Sequence, residues 1–266
     1  ITIDTGVPAA PSVTAISDDN GTASDGITND NTLIISGAAE ANSTVDVLLD
    51  GGSIGTVVAN GAGAWSYDYT GTSLSDGSYV LTATATDSAA NTSVPSSDFN
   101  ITIDTGVPSA PSVTAITDDT GTASDGITND NTLIINGMAE ANSSVIVLLD
   151  GGSIGTVTAN GAGVWSYDHT GTALSDGSYV LTATASDAAG NTSVASGDFN
   201  ITIDTGVPAS PSITTITTDS GSADGITNDN TLIIGGTAEA NSTVDVLLDG
   251  GSIGTTTANG AGAWSY

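Results

Sequence analysis

The sequence predicts an all-β fold built from tandem β-sandwich domains. Short segments rich in Val, Ile and Thr recur at roughly 8–12-residue spacing with turn residues between them, which is the pattern of a sandwich. No stretch shows helical periodicity, and the whole pattern repeats every 100 residues. A period of this length matches a complete domain with its own core rather than the unit of about 20–50 residues found in solenoids. We therefore expect domains joined end to end by short junctions.

The octapeptide ITIDTGVP marks each repeat and occurs at Ile1, Ile101 and Ile201. Residues 1–100 and 101–200 are identical at 84 of 100 positions, whereas the third copy has one residue fewer near Ser222 and stops at Tyr266, before its last strand segments. The predicted domains are residues 1–4 as the last strand of a preceding repeat, 5–104 and 105–204 as complete repeats, and 205–266 as an incomplete repeat.

The predicted strands of the first copy are enriched in β-branched residues and bounded by turn residues. A polar run, Asp18–Asn31, separates the first two strands and is predicted to be a loop. In the third strand, period-2 alternation places Val45, Val47 and Leu49 on one face. The seven predicted strands are Pro11–Ser17, Thr32–Ala39, Ser43–Asp50, Ser53–Ala59, Ala64–Thr70, Ser78–Asp87 and Ser97–Asp104.

Two turns of this copy carry dipeptides that favour tight hairpins. Asp50-Gly51 separates the third and fourth predicted strands, and Asn60-Gly61 separates the fourth and fifth. Asp-Gly and Asn-Gly readily adopt the positive φ angles of two-residue hairpin turns. We predict a hairpin at each position.

The charge balance excludes several classes of function. The chain contains 30 Asp and Glu, no Lys or Arg and one His, and its formal net charge is −30. Without Lys or Arg there is no basic groove for nucleic acid, no polybasic membrane patch and no lysine for phosphate or Schiff-base chemistry. The absence of Cys excludes disulfides and thiolate chemistry. An apolar content of 38% nevertheless predicts a folded chain rather than a disordered one.

We expect neither a membrane span nor a signal peptide within this sequence. No apolar run approaches the length of about 18 residues needed to span a bilayer, and the opening ITIDTGVP lacks the charged start and apolar core of a signal peptide. We expect no membrane insertion, and we expect the sequence to be an excerpt of a longer chain.

Two motifs resemble catalytic sites but have simpler structural interpretations. Ser53, with its equivalents Ser153 and Ser252, fits the G-x-S-x-G nucleophile elbow, which requires a strand-to-helix turn and a His base. We predict a hairpin turn there instead. Asp4-Thr5-Gly6 matches the D-T-G of aspartic proteases, which need two carboxylates that share a proton. Because this triplet runs into Val-Pro, which favours extended backbone, we predict a junction and no enzyme.

The aromatic residues allow a binding interpretation and a structural one. The pairs Trp65/Tyr67, Trp165/Tyr167 and Trp264/Tyr266 have the period-2 spacing of one strand face. They are predicted to be core residues, since aromatic side chains carry much of a sandwich core; stacking on sugar rings is the alternative. His169 replaces Tyr69 and is predicted to be an incidental surface residue.

Because strand direction alternates, the loops of each sandwich fall at two ends, which we call the near pole and the far pole. The near pole of the first copy holds the junction 4–8 and the turns at 39–42, 60–61 and 86–91. The far pole holds the loop Asp18–Asn31 and the turns at Asp50 and Asp76. End-to-end stacking then places Asp104, Glu140 and Asp187 of the second copy opposite the acidic loop of the first.

Carboxylates brought together in this way would repel one another or have raised pKa values, so we expect a cation at the junction. Oxygen ligands in flexible loops suit Ca²⁺, which takes about 6–8 oxygens, whereas the usual His and Cys ligands of Zn²⁺ are missing. Four acids of the first loop, Asp18, Asp19, Asp25 and Asp30, fall within 13 residues, which favours a site, although the EF-hand spacing is absent. The alternative is a solvated acidic surface that keeps a marine or halophilic protein soluble.

The motifs DTGVPAAPSVT, SDDNGTASDGITNDNTLIISGAAEANSTVDVLLDGGSIGTV, GAWSYDYT and DGSYVLTATATDSAANTS together resemble the bacterial immunoglobulin-like repeats of giant calcium-dependent, type I-secreted (RTX-type) adhesins. The resemblance covers nearly all of the chain. That family typically shows D-T-x-x-P at the junction, G-x-W-S-Y and A-T-D-x-A-G-N-T-S. The second copy keeps the last motif as ASDAAGNTS with Gly190, whereas the first copy departs from it at Ala90.

The resemblance implies tandem immunoglobulin-like β-sandwiches of about seven strands each in an elongated end-to-end array. It also implies calcium at the junctions, which stiffens the array into a rod. By analogy with that family, the metal role falls on Asp4, Glu40, Asp87, Asp104, Glu140, Asp187, Asp204 and Glu239, and then on the loop acids Asp18, Asp25, Asp30, Asp118, Asp125 and Asp130.

The leading functional hypothesis is a non-enzymatic extender, or stalk, on the cell surface of a Gram-negative bacterium, for which a marine source is one option. Its partners would be neighbouring repeats and terminal adhesin modules outside this segment, with no nucleic acid. The alternatives are a subunit that self-associates in an extracellular filament, surface layer or biofilm matrix, and repeats that bind glycans directly.

Overall fold

The computed structural model describes residues 3–216 and 226–266, and the chain divides into two compact units, Ile1–Asp204 and Thr205–Tyr266. The first unit contains two β-sandwich domains, and the second contains part of a third. Within the described ranges the chain has no helix, and so none that could cross a bilayer. The predicted all-β sandwich class is confirmed. The deletion near Ser222 and the first two residues of the segment 1–4 lie outside the described residues.

The strands repeat along the chain with nearly the same bounds as predicted. The first domain contains β1 (Ser12–Ile16), β2 (Ile27–Thr28), β3 (Ile34–Ala38), β4 (Thr44–Leu49), β5 (Gly52–Val58), β6 (Ala64–Asp68), β7 (Gly77–Thr86) and β8 (Phe99–Ile103). The second contains β9 (Ser112–Ile116), β10 (Ile127–Thr128), β11 (Ile134–Met138), β12 (Ser144–Leu149), β13 (Gly152–Thr158), β14 (Val164–Asp168), β15 (Gly177–Ser186) and β16 (Phe199–Ile203). The second unit contains β17 (Ser212–Ile216), β18 (Ile234–Thr237), β19 (Thr243–Leu248), β20 (Gly251–Thr257) and β21 (Ala263–Ser265).

Each complete domain is a sandwich of a three-stranded and a five-stranded sheet. In the first domain the strand orders are β1-β3-β6 and β2-β8-β7-β4-β5, and the second domain repeats both orders. All pairings are antiparallel except the short β2–β8 pair, which is parallel. The second unit has the sheets β17-β18-β21 and β19-β20.

The core of each domain lies between its two sheets. Leu33, directly before β3, and Ile35 within it pack against Val45, Val47 and Leu81 of the other sheet, and all five are fully buried. The alternation that the sequence shows in β4 therefore marks the inner face of the larger sheet. The same cluster recurs in the second domain around Leu133, Ile135, Val145, Val147 and Leu181.

Two local predictions were wrong. The segment Asp18–Asn31 is not entirely a loop, because Ile27 and Thr28 form β2 along the edge of β8; two residues are too few to show a period. The Asn60-Gly61 turn is not a hairpin, because β5 and β6 belong to different sheets. Asn60 Oδ1 instead accepts hydrogen bonds from the backbone N–H groups of Ala62 and Ala64, and the tight turn carries the chain from one sheet to the other.

The Asp50-Gly51 turn joins β4 and β5 as predicted. Asp50 and Gly51 have φ angles of 49° and 79°, which is the positive pair that a type I′ hairpin requires. Asp50 Oδ1 also accepts a hydrogen bond of 2.9 Å from Val80 N and so ties the turn to β7. The acidic residue therefore has a local structural role.

Serine hydroxyls complete the edge of β7 where β8 no longer pairs with it. The N–H groups of Ala83 and Ala85 donate to Ser96 Oγ and Ser93 Oγ at 3.0 and 2.9 Å. In return, the backbone N–H groups of the two serines donate to the carbonyls of the same alanines, each at 2.8 Å. Ser93 and Ser96 are buried, and together they pair all four backbone N–H and C=O groups of Ala83 and Ala85 at this edge.

We predict that Ser96→Ala destabilises the first domain by about 1–3 kcal/mol, because the Ala83 N–H stays buried but loses its acceptor. Urea unfolding and amide hydrogen exchange at Ala83 measure this loss. The adjacent, exposed Ser97 is the matched control, and Ser97→Ala should change stability by less than about 0.5 kcal/mol. If the two substitutions destabilise the domain equally, the Ser96 hydroxyl does not stabilise the edge of β7 as proposed.

Asp68 forms a capping turn directly after β6. Its Oδ1 accepts hydrogen bonds from Thr70 N at 2.9 Å and Thr70 Oγ1 at 2.6 Å. The Thr70 side chain, followed by its backbone N–H, lowers the pKa of Asp68 below the ordinary value of 3.8. Because the folded-state pKa is lowered, the stability that Asp68 contributes is present above pH 3.8 and is lost as the pH falls through the folded-state pKa.

We predict that Thr70→Val raises the pKa of Asp68 toward its ordinary value, because the hydroxyl donor is removed and only the backbone donor remains. NMR titration of the side-chain carboxyl groups measures this change. Asp168, which Thr170 caps in the same way, serves as the internal control and should keep its lowered pKa. If the pKa of Asp68 is the same in Thr70→Val as in the unmodified chain, the Thr70 hydroxyl does not lower that pKa.

Candidate functional site

The linker between the first two domains is anchored to the far pole of the first domain. Asp104 follows β8, and its N–H donates to Thr28 O at 3.0 Å. Its Oδ1 accepts a hydrogen bond from Gly106 N at 2.9 Å. Thr105 donates to Asp76 Oδ1 through its N–H and its hydroxyl, at 3.0 and 2.8 Å. The linker therefore leaves the first domain in a defined direction.

Asn191 connects this linker to the second domain. Its Nδ2 donates to Asp104 O at 2.8 Å and to Asp187 Oδ2 at 2.9 Å. Its backbone N–H donates to Asp187 Oδ1, also at 2.9 Å, and closes the turn 187–191 at the near pole. Asn191 is buried, so one amide side chain joins the linker and this turn.

The far pole of the first domain contacts the near pole of the second domain directly. Thr22 N donates to Ala188 O at 3.3 Å, and Asn29 N donates to Ala189 O at 3.2 Å. Ala189 is 0% exposed, whereas its equivalent Ala89 is exposed. The predicted meeting of the two poles is confirmed at this junction. The hydrogen bonds between the two poles join backbone groups, which carry no charge.

Three of the predicted ligands surround one cavity at this junction. Asp104, Glu140 and Asp187 line a cavity of about 230 Å³ together with Asn142 and Ala188. Both oxygens of Asp187 already accept hydrogen bonds from Asn191. Within residues 3–216 and 226–266, however, no three His, Cys, Asp or Glu side chains approach closely enough to hold a metal ion as a group. The three acids therefore line one cavity, but their carboxylates are too far apart in this structure to share one metal ion.

The predicted loop acids serve mainly as local turn caps. Asp25 Oδ1 accepts from Ile27 N, and Asp30 Oδ1 accepts from the N–H and hydroxyl of Thr32, each at 2.9 Å. Asp18 has a φ angle of 48°, and its carbonyl accepts a 2.6 Å hydrogen bond from Thr28 Oγ1. The same contacts are made in the second domain by Asp118, Asp125 and Asp130. None of these six acids lines the cavity.

Asp19 was not among the candidate ligands, yet one of its carboxylate oxygens is buried and unpaired. One of its oxygens accepts from Ser24 N at 2.8 Å, while Oδ1 is buried and has no hydrogen-bond donor. In the second domain Asp119 Oδ1 is likewise buried and unpaired, while Oδ2 accepts from Gly126 N at 3.3 Å. Buried polar atoms are normally paired, and this chain has no side-chain cation to pair with them. The only sequence signal is an acid directly after Asp18.

The equivalent acids of the other repeats occupy similar local positions. Asn91 Nδ2 donates to Asp87 Oδ2 at 2.8 Å and to Asp4 O at 3.3 Å. That side-chain hydrogen bond lowers the pKa of Asp87; desolvation opposes it, and the N–H groups of Asn91, Ala89 and Ala90 add to it.

The glutamates and the last junction aspartate also make the same local contacts in each repeat. The carbonyls of Glu40 and Glu239 accept hydrogen bonds from the serine three residues later. Asp204 N donates to Thr128 O, as Asp104 N does to Thr28 O. Their assignment as metal ligands stays a prediction.

The catalytic and sugar-binding motifs lie in ordinary structural positions. Ser53 lies in β5 and donates to Asp46, and Asp104 directly follows β8. Trp65 is 4% exposed, so the core interpretation of the aromatic pairs holds for its ring. Tyr67 is half-buried, and its hydroxyl donates to Ile54 O at 2.6 Å. His169, predicted to be an incidental surface residue, is half-buried and stacks on Tyr167 with the ring centroids 6.1 Å apart.

The two-sheet sandwich with a parallel edge strand, repeated in tandem, defines this protein as an immunoglobulin-like repeat protein. The family described as "Bacterial Ig-like domain" matches residues 7–105 and 107–205. The chain belongs to this family. No curated protein matches the chain.

Several solved structures are similar to the chain. One is a 1.5-MDa bacterial ice-binding adhesin, with 21% identity, a TM-score of 0.36 and coverage of 96% of this chain and 86% of that one. Another is a tetra-tandem repeat in the extending region of a large adhesion protein, with 22% identity, a TM-score of 0.30 and coverage of 98% and 65%. A biofilm-associated protein matches with 24% identity, a TM-score of 0.28 and coverage of 76% and 30%. The family assignment rests on the domain match alone.

We predict that Gly21→Ala weakens the contact between the first two domains. An added Cβ would lie 2.0 Å from Ala188 O, at a φ of 76°. Gly121→Ala is the matched control, because Gly121 has a φ of 85° but no atom within 4 Å of the added Cβ. Hydrogen exchange at Thr22 N and Asn29 N should accelerate only in Gly21→Ala. Equal acceleration in both variants would attribute the effect to backbone strain rather than to the contact.

Proposed function

We propose that this chain is an extender segment of a bacterial surface adhesin, made rigid by calcium at its inter-domain junctions. The observation that carries the proposal is the direct docking of the first domain's far pole on the second domain's near pole, beside a carboxylate-lined cavity. A chain whose successive domains hold a fixed angle transmits position and force along its length. The proposed function is therefore mechanical.

The charge of the chain opposes such docking in the absence of an added cation. Asp104, Glu140 and Asp187 lie beside the loop that carries Asp18 and Asp19, and the chain contains no Lys or Arg to compensate for them. Salt screens such repulsion over a Debye length of about 8 Å at physiological ionic strength, but partly buried charges are screened less. A cation bound at the junction would remove the repulsion where the domains touch.

The residues at the junction fit a hard divalent cation in their chemistry. The oxygen atoms available around the cavity belong to the carboxylates of Asp104, Glu140 and Asp187, to the amide of Asn142 and to the backbone. Calcium accepts about 6–8 such oxygens in flexible geometry, which suits loops whose acids are not gathered in advance. Asp104, Glu140 and Asp187 would hold the ion, and it would supply the positive charge that the chain lacks.

The same assignment extends by repetition to the other copies and to the location of the protein. Asp4, Glu40 and Asp87 would serve the near pole of the first domain, and Asp204 and Glu239 would serve the third repeat. Sites of this weak, extracellular type bind calcium at about 10⁻⁴–10⁻³ M, so they would fill only outside the cell. A stalk on the surface of a Gram-negative bacterium, exported before it stiffens, meets this requirement.

The alternative of direct glycan binding has less support. Stacking on a sugar requires an exposed aromatic face, but Trp65, Trp165 and Trp264 are 4, 1 and 6% exposed. A glycan array with the isolated repeats should therefore stay blank. Sedimentation at increasing concentration separates a monomeric extender from a filament subunit, because only the filament subunit grows in mass with concentration.

We predict that calcium at ten times its dissociation constant stabilises the first two domains by about 1.4 kcal/mol, by mass action on the folded state. It should also increase the maximum dimension measured by X-ray scattering relative to the chain in chelator. The triple variant Asp104→Asn, Glu140→Gln, Asp187→Asn should lose both responses.

The matched control removes the same number of charges away from the junction, as Asp46→Asn within β4 and Asp98→Asn and Asp198→Asn before β8 and β16. It should respond to calcium like the unmodified chain. If the maximum dimension of the unmodified chain is the same in calcium and in chelator, the calcium-stiffened stalk is wrong. If the control loses the response as fully as the junction variant, the effect comes from net charge and not from a site.

A further inference from the structure

The turn that receives the first domain, residues 187–191, differs from its counterpart 87–91 at two positions, 88 and 90. Position 188 is Ala in place of Ser and accepts a hydrogen bond from the first domain through its backbone carbonyl, which both residue types possess. Position 90 is Ala in the first copy and Gly in the second, and both residues adopt positive φ angles, 69° at Ala90 and 88° at Gly190. The turn itself is closed in both copies by the same bonds, from Asn91 to Asp87 and from Asn191 to Asp187. The turn therefore tolerates a methyl group at this position.

The docked loop does not tolerate that methyl group. A Cβ added to Gly190 would lie 2.9 Å from Gly21 N and 3.3 Å from Asn20 Cβ, both in the first domain. The nearest of these atoms is backbone, which cannot rotate away as a side chain can. An alanine at position 190 would thus push the first domain off the turn that binds it.

A second difference between the repeats lies in the loop that docks. In the second domain, Asn129 N donates to Thr120 Oγ1 of its own loop at 2.9 Å. In the first domain Asn20 takes the place of Thr120, and its Nδ2 donates to Asn29 Oδ1 at 2.7 Å. The backbone N–H of Asn29 instead donates to Ala189 O of the second domain. Asn20 therefore leaves a backbone donor available for the neighbouring domain, whereas a threonine would use that donor internally.

From these two contrasts we infer that the residue pair at positions 20 and 190 determines whether consecutive repeats dock, with Asn20 on the loop and Gly190 on the turn as the docking combination. Docking at this joint is achieved by shape and backbone hydrogen bonds. The orientation of one domain on the next is therefore determined by these protein contacts, even where an ion neutralises the surrounding carboxylates. In a chain that serves as an extender, the role on which this assignment rests, these two residues determine the stiffness of one joint.

The absence of Cys from the chain allows clean placement of two spin labels. Val58→Cys and Thr158→Cys lie at equivalent exposed positions on β5 and β13. Double electron–electron resonance then gives the distribution of distances between the first two domains. The full chain is compared with Gly190→Ala and Asn20→Thr, and with the matched controls Ala90→Gly and Thr120→Asn, which make the reverse changes away from this joint.

We expect a narrow distance distribution in the unmodified chain and both controls, and a broad or displaced one in Gly190→Ala and Asn20→Thr. Hydrogen exchange at Asn29 N should accelerate about tenfold or more in Gly190→Ala, because the amide loses its partner in the second domain. Exchange at Ala183 N, which is bonded to Ser196 Oγ within the second domain, should stay unchanged and shows that this domain is folded. If Gly190→Ala disturbs that domain, Asn20→Thr, which lies wholly in the first domain, decides the question.

Unchanged distances in both joint variants would overturn the inference, and so would an equal broadening in the controls. Repeating the measurement in calcium and in chelator separates this inference from the proposed function. If the distance distribution is the same in calcium and in chelator but broadens in Gly190→Ala, only the calcium-stiffened stalk is contradicted. If the distribution narrows in calcium but is unchanged by both substitutions, only the role of positions 20 and 190 is contradicted.

Discussion

The complete lack of Lys and Arg is the constraint on which the rest of this structure depends. With no side-chain cation available, the carboxylates must be satisfied by N–H and O–H donors or by ions from outside. Many of them accept a hydrogen bond from the backbone N–H two residues later, which makes each acid the first residue of a tight turn. The pattern recurs at Asp4, Asp25, Asp30, Asp68 and Asp104. This use of acids as turn caps explains why they collect at strand ends and hence at the two poles of each sandwich.

Placing the acids at the poles creates a difficulty where domains meet, and the contact surface reflects it. The atoms that touch across the first junction belong to small residues and to the backbone: Gly21 and Thr22 on one side, and Ala188, Ala189 and Gly190 on the other. The acids lie around this contact instead of within it. An uncharged docking surface surrounded by carboxylates can join two strongly acidic domains, and it leaves the charges where ions in solution can reach them.

The repeats preserve their cores while their joints vary. The two complete copies differ at 16 of 100 positions, yet the fully buried Leu33, Ile35, Val45, Val47 and Leu81 are matched in the second domain by identical residues. Positions 20 and 90 are among those that differ. A tandem array can therefore change the mechanical character of a junction by substitutions in loops, because the packing between the sheets is independent of them.

The sequence by itself determined the period, the seven main strands, the inner faces of those strands and the sorting of acids to two poles, because strand alternation and turn chemistry are local. Only the tertiary structure decided that β5 and β6 lie in different sheets, that β2 pairs with β8, and that Ser93 and Ser96 complete the edge of β7. It also decided that Asp104, Glu140 and Asp187 line one cavity while the loop acids cap their own turns. These features join residues far apart in the chain, such as Gly21 and Ala188, and no local pattern records a contact whose partner lies in another domain.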